Sequence, residues 1–319
     1  MSAQPSQLIP VIIGPTAGGK SALALHLAAH LKSLGRYAEL VSADAYQVYR
    51  HMNIGTAKPT REERAIFEHH CIDMVEPTEK FNVSDWLSVA EDAIEDIRQR
   101  ACLPIVVGGT LLYAKALIDG MFQGPQPDQT LRDALSRQPA ETLRAELQRI
   151  DPDAASRLHP NDIRRTVRAI EVYRITGQPI SALQQQWDRG SIGSRYLLIE
   201  LDWPVERINQ RINARVKTMV QLGLVDEVSE LHEAGLLGPT AREAIGYKQL
   251  LDHFAGTCSL DDAIERVKIE SRRFAKNQRT WLRRLRLHPH TMRIDATTME
   301  IDEIVQHIGV LIGLKEKQG

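Results

Sequence analysis

The run Leu8-Ile9-Pro10-Val11-Ile12-Ile13-Gly14-Pro15-Thr16-Ala17-Gly18-Gly19-Lys20-Ser21 decides the architecture. Residues 8–13 are apolar and β-branched and stop at Gly14, and the following stretch 21–34 (SALALHLAAHLKSL) has the apolar spacing of a helix. The order is therefore strand, glycine loop, helix. The loop fits the spacing G-x-x-x-x-G-K-[ST]. Its glycines let backbone N–H groups converge on one concavity, Lys20 adds a point charge, and the Ser21 hydroxyl can ligate a magnesium ion held against phosphates. The helix that opens behind the loop contributes the positive end of its dipole. A diphosphate or nucleotide site over Gly14, Pro15, Thr16, Ala17, Gly18, Gly19, Lys20 and Ser21 is expected.

Further strands read at 38–42 (AELVS), 103–107 (LPIVV), 196–201 (YLLIEL) and around 290–295. The unbroken apolar character of 103–107 indicates burial on both faces, as in a parallel sheet. Strands interleaved with helical stretches make an α/β layer fold with a mostly parallel sheet flanked by helices. Between about 115 and 194 the texture changes to Pro/Gly punctuation at 124–127 (GPQP) and then helical, charge-laced segments. The reading is a discontinuous core, 1–114 and 195–319, interrupted by a helical insertion domain over 115–194 whose all-α part spans 130–187. The Pro/Gly stretch and the glycines of 190–193 lead us to expect the insertion to move as a lid.

The 319 residues are 43% hydrophobic and 25% charged, which excludes disordered and fibrous classes. Net charge is −1, so affinity for nucleic acid must come from a local patch. Cys71, Cys102 and Cys258 are odd in number and widely spaced, which fits neither a disulfide framework nor a zinc ribbon and points to a reducing cytosol. The start of the chain lacks a basic n-region, and its apolar run is far shorter than a membrane span needs. The expectation is a soluble intracellular protein with no membrane contact. With no long exposed apolar stripe, it is also expected to be a monomer.

Asp44 lies just past the strand 38–42, where open α/β sheets bind ligands. It reads as a base or a magnesium ligand, or more plainly as an N-cap. The strand 103–107 ends in Gly108-Gly109-Thr110, where an ATPase would normally place an acid. The local patch that the overall charge requires is found at 264–286, with nine Lys/Arg against Glu265 and Glu270, a local net of +7. Arg272, Lys276, Arg279, Arg283 and Arg286 fall on one helical stripe, and Val267, Phe274, Trp281 and Leu285 on another. The basic stripe reads as a track for a phosphate backbone, the apolar one as a packing face. His69-His70-Cys71 looks metal-like, but adjacent side chains point apart on regular backbone.

Six segments taken together, GPTAGGKS, SADAYQVYRHMNIGTAKP, HHCIDMVEP, PIVVGGTLLY, AIGYKQL and RRFAKNQRTWLRR, occur in an order that closely resembles the bacterial tRNA dimethylallyltransferases, the isopentenyl-tRNA transferase family. The resemblance runs over nearly the whole chain and is loosest in the insertion, apart from RTVRAIEVYRITG. It implies a P-loop NTPase-like core with an inserted all-α domain. It also implies transfer of a dimethylallyl group from its diphosphate to the exocyclic N6 amine of the adenosine 3′ to the anticodon in tRNAs reading codons that begin with U. By the same resemblance Asp44 matches the base, Thr16 a donor to the bridging oxygen and Arg215 an arginine that neutralises diphosphate. Lys20 and Ser21 complete the phosphate and Mg2+ site, and Arg211, one turn from Arg215, could share its work.

For tRNA the resemblance carries over Asp44, Ala45, Tyr46 and Gln47, then Thr110 and Arg132, then Arg164, Arg165, Thr166, Val167 and Arg168. It continues with Ala244, Ile245, Gly246, Tyr247, Lys248 and Gln249, and ends with Lys276, Asn277, Gln278, Arg279, Thr280, Trp281, Leu282 and Arg283. Gln47 is placed to read a base edge. Two positions depart from the pattern: Gly18 stands where Ser is common, and Arg164 where Gln is usual. A small-molecule kinase using ATP, with Asp44 as its base, would explain the first 110 residues but not the basic helix. A non-catalytic RNA-binding module would leave the phosphate loop unexplained.

Overall fold

The computed structural model describes residues 8–121, 124–184 and 195–313. The chain divides into two compact units, 1–118 with 193–319 and the helical 119–192. The first begins with β1 (Ile9–Ile13) and α1 (Lys20–Ser33), followed by β2 (Ala38–Ser42), α2 (Arg61–Ile66) and β3 (His69–His70). Then come α3 (Val83–Gln99), β4 (Leu103–Val107) and α4 (Leu111–Asp119). The second unit holds α5 (Gln129–Ser136), α6 (Ala140–Ile150), α7 (Pro152–Arg157), α8 (Ile163–Thr176) and α9 (Ile180–Gln184). The chain returns with β5 (Tyr196–Asp202), α10 (Val205–Gln221), α11 (Leu224–Glu233), α12 (Tyr247–Phe254), α13 (Leu260–Leu285), β6 (Thr291–Asp295) and α14 (Ile301–Leu311).

The described strands form one parallel sheet in the order β3-β2-β4-β1-β5-β6. Strands β1 and β2 are buried at every residue, as runs covered by helices on both faces must be. Leu23, Leu27 and Leu31 of α1 and Ile304, Val305 and Ile308 of α14 pack with Leu40, Ile105 and Ile199 in one core. The mostly parallel α/β reading is what the structure shows. The pair β3 escaped the sequence reading because two histidines at a sheet edge carry no apolar pattern.

The helical unit has its own core of Leu135, Leu143, Leu147, Ile150, Val167, Ile170 and Val172. Three of its helices are capped by acids: Asp128 accepts from Leu131 N–H, Asp151 from Ala154 N–H and Asp162 from Arg165 N–H. The glycines of 190–193 expected as a hinge lie outside the described residues. No helix among the described residues is long and apolar enough to cross a membrane.

Candidate active site

The C-terminal ends of three adjacent strands, β2, β4 and β1, build the site. After β1 the phosphate loop is held by contacts from distant elements. Gly18 N–H donates to Pro15 O at 3.1 Å, closing a turn. Trp203 Nε1 donates to Gly18 O at 3.0 Å and Arg211 Nε to Ala17 O at 2.8 Å, with the Arg211 guanidinium 4.5 Å above the Trp203 ring. Thr16 N–H donates to Gln278 Oε1 at 2.8 Å. Gly19, at φ 89°, caps α1 in a left-handed conformation and offers no side chain to the first turn, which contains no acid. The N–H groups of Ala17 and Gly19 find no acceptor among the described residues, so with the helix start they form a cradle for an anion.

Beyond β2, Asp44 does two things. Its Oδ1 accepts from Tyr46 N–H at 2.9 Å and Gln47 N–H at 3.3 Å, so the capping role is real, for a turn instead of a helix. Its Oδ2 makes no hydrogen bond among the described residues. The turn is tied to the end of β4: Ala45 N–H donates to Thr110 Oγ1 at 2.9 Å and Thr110 N–H to Ala43 O at 3.1 Å. Gly108 is required there, since a Cβ would lie 2.1 Å from Ala43 O.

Charges converge on this point. Burial, then Arg215, pushes the Lys20 ammonium down to about 7, while Asp44 pulls the other way. Burial likewise lowers Arg215, again opposed by Asp44. Burial raises the Tyr46 phenol to about 12, with Tyr49 and Asp44 adding to the rise. Asp44, Lys20 and Arg215 therefore lie within one another's field on the half-buried wall of the site.

Two cavities meet here. One, of about 1120 Å³, runs along the phosphate loop past Lys20, Ser21, Asp44 and Arg211. The other, of about 460 Å³, is walled mostly by apolar side chains such as Leu111, Ile212, Val216, Leu224, Val267 and Trp281. Thr16, Asp44, Arg215, Met219, Phe274 and Gln278 line both. Phe274 is 40% exposed, so it faces these cavities and is not the packing residue that helical spacing indicated. The packed face of α13 is Ala263, Val267, Ala275, Gln278, Leu282 and Leu285.

The segment NIGTAKP (53–59) is organised by a residue that the sequence did not single out. Glu227 of α11 accepts from the N–H groups of Asn53 at 2.8 Å, Ile54 at 2.8 Å and Gly55 at 3.1 Å, and from the Tyr247 hydroxyl at 2.5 Å. A Cβ on Gly55 would lie 2.4 Å from the Tyr247 ring. Lys58 is buried and donates to Tyr49 O and Asp73 Oδ1, both at 2.6 Å. In LVDEVSEL Glu227 looks like any solvated helical acid, and Trp203 and Asp73 carry no local signal either.

The residues expected to contact tRNA divide by exposure. Lys248, Lys276, Asn277, Thr280 and Arg283 are exposed on the first unit, Arg164 and Arg165 on the second, and Ile245, Trp281 and Arg279 are half-buried. Tyr247, Gln249 and Leu282 are buried, as are Thr166 and Val167, so their side chains are core and not open surface, whereas Ala244, Gly246 and Gln278 are buried yet line the apolar cavity. Ser42 Oγ donates to Gln47 Oε1 at 2.8 Å, and Gln47 Nε2 donates to Thr56 O and Ala57 O, both at 3.2 Å. The side chain braces the 53–59 segment, with both Nε2 hydrogens committed and one acceptor position left on Oε1. Arg132 Nε and Arg168 Nη1 donate to the fully buried Glu171, at 2.9 and 2.6 Å. Burial would raise that carboxyl, yet these arginines and the Asp128 N–H hold it below its usual range.

Arg286 leaves the basic stripe too, because it is clamped to Glu200 of β5 at 2.7 Å through Nε and at 2.5 Å through Nη2. His70 Nε2 pairs with Glu39 Oε2 at 2.7 Å and His69 Nδ1 with Phe67 O at 2.8 Å. The adjacent histidines therefore point to different partners. Among the described residues no group of three His, Cys, Asp or Glu could hold a metal ion.

Comparison with known proteins agrees with this geometry. A family model described as IPP transferase matches residues 47–285. The chain is 44% identical over 288 residues to the tRNA dimethylallyltransferase of Geobacillus thermodenitrificans, covering 87% of this chain and 88% of that one. It is 37% identical over 308 residues to that of Thermotoga maritima, covering 95% and 97%. Among solved structures, the full-length tRNA isopentenylpyrophosphate transferase of Bacillus halodurans superposes with a TM-score of 0.68 at 36% identity, covering 96% of this chain and 97% of that one. A eukaryotic dimethylallyltransferase captured acting on tRNA superposes with a TM-score of 0.81 at 28% identity, covering 98% and 81%. With three quarters of its length matched by the family model and its relatives aligned almost end to end, this chain belongs to the IPP transferase family.

Proposed function

We propose that this protein transfers a dimethylallyl group from dimethylallyl diphosphate to the N6 amine of the adenosine 3′ to the anticodon, in tRNAs reading codons that begin with U. Diphosphate is released. One observation carries the reading: Thr16, Asp44 and Arg215 line the wall shared by a phosphate-loop cavity and an apolar one. A diphosphate held on the loop and a base entering through the second cavity meet at that wall. The base must first leave the anticodon-loop stack.

The N6–C1 bond forms as the C1–oxygen bond breaks. Diphosphate leaves with the electron pair, and the amine proton passes to Asp44, whose Oδ2 is free to take it. Lys20, Arg215 and the loop N–H groups hold the negative charge that grows on the leaving group, and burial of the two cations strengthens that field. Thr16 places its hydroxyl at the bridging oxygen.

The exposed Ser21 hydroxyl suits Mg2+, which takes most of its ligands from substrate phosphate and water. When bound, the ion neutralises diphosphate charge. The exposed cations of α13 take the tRNA backbone, and Ile245, Asn277 and Trp281 line the cavity that receives the base. The reading places the protein in the cytosol, as a monomer.

The test is incubation with labelled dimethylallyl diphosphate and unmodified tRNA, with and without ATP, followed by nucleoside mass analysis. Label on the adenosine next to the anticodon without ATP is the expected result. ATP consumption without RNA, and no transfer, would replace this reading with the kinase one.

A further inference from the structure

Gln278 sits in the middle of the basic helix α13 yet is 3% exposed, and its amide is satisfied at both ends by groups of the active site. Oε1 accepts from Thr16 N–H at 2.8 Å, and Nε2 donates to Gly109 O at 2.8 Å. A Cβ on residue 109 would lie 2.8 Å from Nε2, so the second glycine of the GGT sequence is what lets the amide approach.

Building on the transferase reading above, we infer that Gln278 is a positioning residue for the transfer step, not a tRNA contact. The phosphate loop and the Gly109 turn leave paired strands, β1 and β4, and part beyond Gly108 N–H···Ile12 O at 3.2 Å; the amide bridges them past that point. On one side it fixes the backbone of Thr16, whose hydroxyl must meet the leaving group. On the other it fixes Gly109, whose neighbour Thr110 accepts from Ala45 N–H beside the proton acceptor Asp44. Sheet pairing sets the coarse spacing of the leaving-group donor and the base, and the Gln278 amide fixes the two loop ends, Thr16 and Gly109, beyond the last paired residues. Thr16 N–H needs an acceptor and Gly109 O needs a donor, and among the amino acids a neutral amide of this length supplies both. An ionised carboxylate supplies only acceptors. A protonated one restores the pair.

The experiment uses the full chain with Gln278→Met and Gln278→Glu, measuring kcat at saturating substrates, tRNA Kd by filter binding, and a pH profile of each variant against wild type. Gln278→Met is expected to lower kcat by about 10- to 100-fold, the scale of a misplaced reacting group, with tRNA Kd within about twofold of wild type. Gln278→Glu relative to wild type is expected to recover as pH falls from about 8 to about 6. Burial beside the Gly109 carbonyl raises that carboxyl, opposed by Lys20 Nζ beside Gly109 and by Arg215 in the same cavities, and recovery follows its protonation. The Gln278→Met ratio stays flat.

Weakened tRNA binding with wild-type kcat would overturn the inference and make Gln278 a contact residue. Wild-type values of both in Gln278→Met would overturn it also. If the Met variant does not fold, the Gln278→Glu profile decides, and a flat ratio refutes the positioning role. A wild-type chain that labels no tRNA would instead overturn the transferase reading, and this inference with it.

Discussion

Lys20 donates through Nζ to the carbonyl oxygen of Pro15 at 2.8 Å, so the ammonium is folded back on the loop that it serves. Burial and the neighbouring Arg215 depress it to about 7. The ammonium is charged below that pH and loses its proton above it, so its pull on an anion fades as pH rises through about 7. The affinity of wild type for inorganic diphosphate, relative to Lys20→Met, should be greatest near pH 6 and narrow by about pH 8.5. Stability runs the other way. Because the unfolded chain holds this proton up to about 10.5, wild type should gain on Lys20→Met in thermal unfolding between about pH 7 and 10.5. A relative diphosphate affinity independent of pH would remove Lys20 from the anion site.

Asp44→Asn separates the two duties of this residue. The Asn Oδ1 still accepts from the N–H groups of Tyr46 and Gln47, so the turn and the melting temperature should be kept. The amide cannot take the proton of the attacking amine, and kcat should fall by about 10²–10⁴-fold with tRNA Kd little changed. Single-turnover kinetics with prebound tRNA measure this. A variant with near wild-type turnover would assign the proton to another acceptor.

How much of this was legible beforehand follows from the range of each interaction. Strands β1, β2 and β4 emerge within a residue of their true bounds because each is a short buried run, apolar throughout in β1 and β4, ended by a glycine or a polar loop. Asp44 could be picked out because its meaning depends only on following such a strand. Glu227 and Trp203 could not, nor could the bridging role of Gln278, because each meets these partners across more than 160 positions of sequence. The same range effect misassigned Arg286. Helical period put it on the basic stripe, but its acid lies on β5, 86 positions earlier. Thr166 and Val167 were misplaced because a run such as RRTVR shows its charges plainly and its buried members only once the surrounding helices are packed.

Glu227 should behave as a latch for the 53–59 segment. Replacing it with Ala leaves three N–H groups and the Tyr247 hydroxyl without their acceptor, at a cost of roughly 1–3 kcal/mol in urea unfolding. Tyr247→Phe removes one of the four donors and should cost about 1 kcal/mol. Both variants should also raise KM for dimethylallyl diphosphate, since Asn53 and Ile54 line the phosphate-loop cavity. Unchanged unfolding in Glu227→Ala would mean that the segment is held by Gln47, Lys58 and Asp73 without the latch.

The nine basic residues of 264–286 are not equivalent. Arg266 pairs with Asp252 at 2.7 Å, Arg273 with Glu270 at 2.6 Å, Arg272 with Glu265 at 3.6 Å, and Arg286 with Glu200. Lys276 and Arg283 are exposed and meet no acid among the described residues, so they can exchange condensed counterions for RNA phosphates. Replacing both with Gln should weaken tRNA binding and reduce the slope of log K against log salt by about 1–2. Arg273→Gln frees Glu270 as it removes a charge. It should weaken binding less, through repulsion by the released acid, with a slope change under about 0.5. Filter binding across a salt series separates the two. An equal slope change in all the variants would mean that the helix attracts RNA by its summed charge and that no single cation docks on a phosphate.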